Sequence, residues 1–364
     1  MPRYKFAFPV YNAVFDEKDL SFQVGDVSFI RKSDLAQESF FINEDKLQLS
    51  ENHVFAVVDV CGNESYAKDL AYDKCCFATD IFKICSDLYH SNFYNPKKWQ
   101  FDIDNDFIIQ GKSYFFFKES DSSNQDIHHA SFHADRFNPS IDSKILESVS
   151  KWNIKDFESL YNIVYSKDVK SIHKVLKRAC HIYSQSFSTN NIYERVVLLC
   201  TVLDTLATNE RDGKVPQLKK YLPVLVLKYD KLIENLKGFI EYIYDIRSAY
   251  IHNVEKKEVS EHDVDQLEKI VYRVILQMVR NSSKYNSTKE ICVAIDKGSF
   301  EPITDNLPDI YIKCPPTTKP CPHNNIKLPS WLVSFLRYIH IFTFSIHKLH
   351  IYLFKHTTLY GRRS

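Results

Sequence analysis

An arginine and a histidine five positions apart, Arg247 and His252, stand in the run Tyr244-Asp245-Ile246-Arg247-Ser248-Ala249-Tyr250-Ile251-His252-Asn253. Arginine is always charged and offers a planar fork of donors that matches phosphate oxygens. Histidine exchanges a proton near neutral pH and can serve as a general acid or base. Together they have the chemistry of phosphoryl transfer, in which charge on phosphorus is stabilised while a proton moves. Spacing alone decides little, because an Arg followed by a His five to seven places on arises about once by chance in a chain of this composition. The surrounding elements must supply the rest.

Apolar Phe239, Ile240, Ile243, Tyr244 and Ile246 recur at helical spacing just before and within this run, so the pair is expected at the C-terminal end of a docked helix over 230–252. Five residues turn a helix by about 140°, which sets Arg247 and His252 on adjacent faces. If two copies pack these helices about a two-fold axis, two Arg and two His share one groove suited to a phosphodiester, and a homodimer is therefore expected. A second helical pattern covers 192–208, and there Asp204 falls in register with Val197, Cys200 and Ala207 on an apolar face. A buried carboxylate needs a partner, and Arg247 is the one expected, with a cost of about 3 to 5 kcal/mol for breaking a fully buried pair. Asn191-x-x-Glu194 reads as a capping box at the start of the same helix.

The stretch Glu194-Arg195-Val196-Val197-Leu198-Leu199-Cys200-Thr201-Val202-Leu203-Asp204-Thr205-Leu206, followed about forty residues later by the Arg247 to His252 run, resembles the Apea-like branch of the HEPN superfamily over residues 140–285. The resemblance implies an all-α bundle, a metal-independent endoribonuclease that is often dimeric, and a setting in phage defence or toxin–antitoxin pairs. It implies Arg247 and His252 as catalytic residues and Asp204 as their acidic support. Two positions depart from the pattern: Ser248 follows the Arg where the family often has Asn, Asp or His, and Val254 stands where a Tyr is common in members silenced by nucleotide transfer. RNA carries its own nucleophile, the ribose 2′-OH, so the expected reaction needs only proton transfer and charge stabilisation and leaves a 2′,3′-cyclic phosphate. No cofactor or metal is expected. The competing reading is a non-catalytic HEPN module that dimerises or binds RNA.

Before this helical region, short β-branched and aromatic runs at 4–10, 24–30, 54–60, 107–110 and 114–117 read as strands, and 64–90 reads as one helix. The expected architecture is therefore an α+β N-terminal domain over 1–138, a HEPN-type helical bundle over 139–290, and an irregular proline-rich segment with a C-terminal amphipathic helix over 291–364. Helical patterns over 142–151, 155–165, 168–186, 216–226 and 261–285 complete the bundle. The N-terminal domain is the candidate for sensing a protein trigger or antitoxin.

A net charge of +1 gives the whole chain no field that would draw it to RNA, so any attraction must be local. Lys167, Lys170, Lys174, Lys177 and Arg178 repeat every three to four residues and form a candidate RNA-guiding stripe, although a solvated helix face gives the same pattern. Nine scattered cysteines and a first segment without an apolar run point to a reducing cytoplasm. His128, His129 and His133 with Asp126 and Asp135, and Cys314 with Cys321 and His323, match no metal-site spacing, so no metal is assigned to them. Residues 331–354 are apolar but carry Arg337 and Lys348, which argues against a membrane span and for a partner-helix seam or interfacial helix.

Overall fold

The computed structural model describes residues 2–18, 20–35, 37, 51–90, 116–119, 128–129, 140–151, 153–189, 191–208, 213–227, 232–252 and 257–303. The chain divides into two units, Met1–Pro315 and Pro316–Ser364, and every described residue belongs to the first. The strand expected at 107–110 and the C-terminal helix expected at 331–354 lie outside the described residues. So do His133, Asp126, Asp135, Cys314, Cys321 and His323. Among the described residues, no helix is long and apolar enough to cross a membrane.

The chain begins with a small, mostly antiparallel sheet. Its strands are β1 (Arg3–Phe15), β2 (Phe22–Val24), β3 (Val27–Arg31), β4 (His53–Cys61), β5 (Phe116–Glu119), β6 (His128–His129) and β7 (Ser140–Ile141), in the order β2-β3-β4-β1-β5-β6 with β7 pairing β1 in parallel. His128 and His129, weighed above as metal ligands, pair with Phe117 and Phe116 in this sheet. Phe6, Phe8, Val54, Ala56, Val58 and Val60 alternate along β1 and β4 onto one face, as strand periodicity requires. Helix α1 (Glu64–His90) packs on β4 and β1 there.

That helix is apolar on two faces because it is covered on both. Phe82 stacks on Phe22 of the sheet at 4.2 Å, whereas Phe77 stacks on Tyr161 of helix α3 at 5.8 Å. A helix buried on both sides makes one continuous core from two layers. The change of pattern near residue 139 is thus a change from sheet to helices within one packed unit. The turn between β2 and β3 joins the layers as well: Tyr161 donates to Asp26 Oδ1 at 2.6 Å, and Lys74 pairs with the same carboxylate. Gly25, at φ +60°, has to be glycine in this turn, because a Cβ would lie 2.1 Å from the Tyr161 ring.

The helices that follow are α2 (Ser143–Lys151), α3 (Ile154–Val164), α4 (Ser171–Ser186), α5 (Ile192–Ala207), α6 (Lys214–Val226), α7 (Ile233–Ile251), α8 (Glu261–Asn281) and α9 (Thr288–Asp296). Two boundaries correct the sequence reading. The helix expected from 168 starts only at Ser171, because Lys170 is extended and serves as the N-cap, with His173 Nδ1 accepting from the Lys170 N–H at 3.0 Å. The chain beyond 289, expected to be irregular, forms α9 instead: Ser287 caps it by accepting from the Glu290 N–H, and Ile291, Cys292 and Ala294 bury one face. Helix α8 is buried nearly all round and packs on α3, α4, α5 and α6.

One buried group at the start of β4 gives the fold a pH dependence. Burial, and then the charge of Lys32, lowers the His53 imidazole from the ordinary 6.5 to about 4. Between those values the unfolded chain binds a proton at His53 that the folded chain does not, so stability falls as pH drops through this window. The contribution is fully present above pH 6.5 and amounts to about 3 kcal/mol over the window, at 1.36 kcal/mol per unit. Urea unfolding at pH 7 and at pH 4.5 measures it, and His53→Phe should lose less stability on acidification than the natural chain. Equal losses in the two proteins would show that His53 is not the group responsible.

Candidate active site

Helices α5 and α7 pack against each other, and α6 packs on both. On α5 the Asp204 side chain is 10% exposed, at a register position otherwise filled by apolar residues. Three side chains meet it. Tyr244 donates from its hydroxyl to Asp204 Oδ1 at 2.6 Å, and that hydroxyl is also 3.2 Å from the Cys200 carbonyl oxygen. Lys214 Nζ lies 2.6 Å from Asp204 Oδ2, and Arg247 Nη2 lies 3.5 Å from the same oxygen. Burial first, then the neighbouring Cys200 and Asp204, raises the Tyr244 phenol far above the ordinary tyrosine range, so it remains a protonated donor to the carboxylate.

Arg247 is held without spending its donors. Its side chain is 24% exposed, the guanidinium lies 5.6 Å from the Tyr244 ring centroid, and Nε is buried with no hydrogen-bond partner among the described residues. The Asp204 contact is an ion pair beyond hydrogen-bonding distance. A planar cation fixed by a ring and a carboxylate, with Nε sealed from solvent and its Nη donors unspent, is ready for a second anion at the Nη end. Tyr244 stands three residues before Arg247 on the same helix face, where such a pair can meet.

His252 is the C-cap of α7, with φ −92° and ψ 11°, and its backbone N–H closes on the Ser248 carbonyl at 3.1 Å. The imidazole is exposed, and its ring makes no hydrogen bond among the described residues. The chain that follows is tied back to the bundle: Tyr193 donates to the Lys257 carbonyl at 3.2 Å, and Tyr242 donates to that of Glu258 at 2.9 Å. Tyr193 and Tyr250 stack at 5.4 Å beside this end of α7. A five-residue helical step separates Arg247 from His252 by about 7.5 Å along the axis, wide enough for a phosphate between long side chains.

No known protein family matches this chain, and neither does any curated protein or any solved structure.

Sequence reasoning brought Arg247 and Asp204 into the same neighbourhood but missed Lys214 and the Tyr244 hydroxyl. Lys214 left no local signal, since it reaches Asp204 only where α6 returns beside α5. Two residues of the candidate basic stripe have partners within the fold. Lys170 donates to the Ser283 carbonyl at 2.9 Å, and Lys177 is bound to Asp73 of α1 and lies over the Phe77 and Tyr165 rings. Lys167, Lys174 and Arg178 stay exposed. Lys174 and Arg178 lie on α4, which packs on α1, α3, α5 and α8, whereas α7 packs on α5 and α6. The Asn191 cap differs too: its Oδ1 accepts from the Tyr193 N–H, while Glu194 accepts from the Asn191 and Thr189 side chains rather than from the Asn191 backbone.

Partial exposure of Arg247 and Lys214 lowers the value set on Asp204. Asp204→Ala should cost about 1.5 to 3 kcal/mol, the range for lost hydrogen bonds to a charged group, rather than the 3 to 5 of a fully buried pair. Asp204→Asn should lose less, because the amide keeps an acceptor for Tyr244. Urea denaturation of both variants checks the order, and natural stability in Asp204→Ala would remove Asp204 as the support of Arg247.

Proposed function

We propose that this chain is a metal-independent endoribonuclease of HEPN type, acting in phage defence or a toxin system, with Arg247 and His252 as catalytic residues and Asp204 and Tyr244 as positioning residues. The observation that carries the reading is the partly exposed Arg247 guanidinium, fixed by Asp204 and the Tyr244 ring with its Nη donors making no hydrogen bond among the described residues. In the reaction a base takes the 2′-OH proton, O2′ bonds to phosphorus, and the P–O5′ bond breaks as an acid protonates O5′. The products are a 2′,3′-cyclic phosphate and a 5′-OH end. Arg247 stabilises the extra negative charge on the phosphoryl oxygens.

A single histidine cannot be base and acid in the same step, so the reading includes a homodimer in which two copies of His252 divide the work. The exposed Ile251 beside His252 supports a contact at this end of α7, since it is among the few large apolar side chains exposed in the described residues. The bare imidazole of His252 favours a second reading, a non-catalytic RNA-binding or dimerising module, because general bases are usually oriented by a partner. Incubating the purified chain with total RNA and mapping the new ends separates the two. New 2′,3′-cyclic phosphate ends support the ribonuclease, and intact RNA at high protein concentration leaves the module.

A further inference from the structure

We propose that Lys214 is a further phosphate-contacting residue of this cleft, gripping the RNA backbone beside Arg247; the inference rests on the ribonuclease reading of the same site. Lys214 Nζ and Arg247 Nη2 approach one oxygen, Asp204 Oδ2, at 2.6 and 3.5 Å, so they lie no farther apart than those two distances end to end. A phosphodiester presents two non-bridging oxygens that can meet two such donors together. Two cations share one carboxylate here, and the other oxygen of that carboxylate takes a neutral phenol, so among the described residues the cluster keeps a positive charge in excess. The acidic residues Asp245 and Glu241 of α7 do not cancel it, because Lys257 and Lys219 neutralise them. The Lys214 side chain is 51% exposed and commits one ammonium proton to Asp204, which leaves two for a ligand arriving from solvent. Asp204 thus sets the spacing of the two cations, and Lys214 adds a contact that recognises backbone rather than base.

The test uses the full chain and a labelled 2′-O-methyl oligoribonucleotide, which binds but has no free nucleophile. Binding is measured by fluorescence anisotropy between 0.05 and 0.3 M salt for the natural chain, Lys214→Gln and Lys214→Arg. Loss of one phosphate contact should flatten the slope of log affinity against log salt by about 0.7 and weaken binding about 5-fold at 0.1 M salt. Lys214→Arg keeps the cation and should restore both. An unchanged slope and affinity in Lys214→Gln overturns the inference, as does a natural chain that fails to bind the strand. A parallel incubation with unmodified RNA keeps the two readings apart. Failure of the natural chain to cut there overturns the ribonuclease, while a binding defect in Lys214→Gln still upholds the contact.

Discussion

His252→Ala is expected to lower the proposed RNA cleavage by about 10²- to 10⁴-fold, the factor lost with a positioned acid or base, and to leave the unfolding midpoint unchanged. The second half follows from the exposed position of His252, whose imidazole makes no hydrogen bond among the described residues and whose backbone bond to Ser248 survives the change. Arg247→Ala should produce a similar loss for a different reason, because charge developing on phosphorus would go unanswered. Arg247→Lys separates charge from shape: it keeps the cation but loses the planar fork, so an intermediate rate is expected. The assay is labelled single-stranded RNA with each variant, with and without EDTA, followed by analysis of the ends for the cyclic phosphate. A folded His252→Ala chain that cuts at the natural rate sinks the mechanism, and so does a natural chain silenced by EDTA.

The largest effect on stability is expected at Arg195. Its side chain is 5% exposed and pairs with Glu268, 6% exposed, at 2.8 Å, and with the solvated Glu261 at 2.6 Å. Burial opposes the guanidinium charge, but Glu268 and Glu261 outweigh it and raise the group further above its ordinary value. Arg195→Met takes the buried cation away from the Glu268 carboxylate between α5 and α8, at a cost of about 3 to 5 kcal/mol. Removing both charges is different, since apolar replacements of a buried pair are often neutral. Arg195→Met with Glu268→Leu should therefore recover most of the loss in urea unfolding. If the double variant is no more stable than the single one, Arg195 matters through its packing and not through its charge.

Much of the scaffold was legible because it is written in local periodicity. The apolar spacing of α5 and α7 announced both helices, and Asp204 stood out as a carboxylate on an apolar register, which is why Arg247 could be sought as its neighbour. What stayed hidden depends on distant chain segments. Lys177 looked like one more lysine on a solvated face, yet its carboxylate, Asp73, lies 104 residues away on α1. Nothing near Arg195 in the chain marks it as buried, and only α8, which packs against α5, makes it a buried cation. The Tyr244 hydroxyl was invisible for the opposite reason: tyrosine at an apolar position predicts burial and says nothing of where its polar tip will bond.

Helix α8 carries a consequence for the making of the protein. It closes the core against α3, α4, α5 and α6, all of which precede it in the chain. At 5–20 residues per second, translation takes roughly two to seven seconds to pass from the end of α6 at Val226 to the start of α8 at Glu261. During that interval the faces later covered by Leu267, Val271, Val274 and Met278 have no partner. A nascent chain in this state presents the ribosome-side chaperones with a ready apolar surface, and a message truncated before residue 261 would leave that surface open for good.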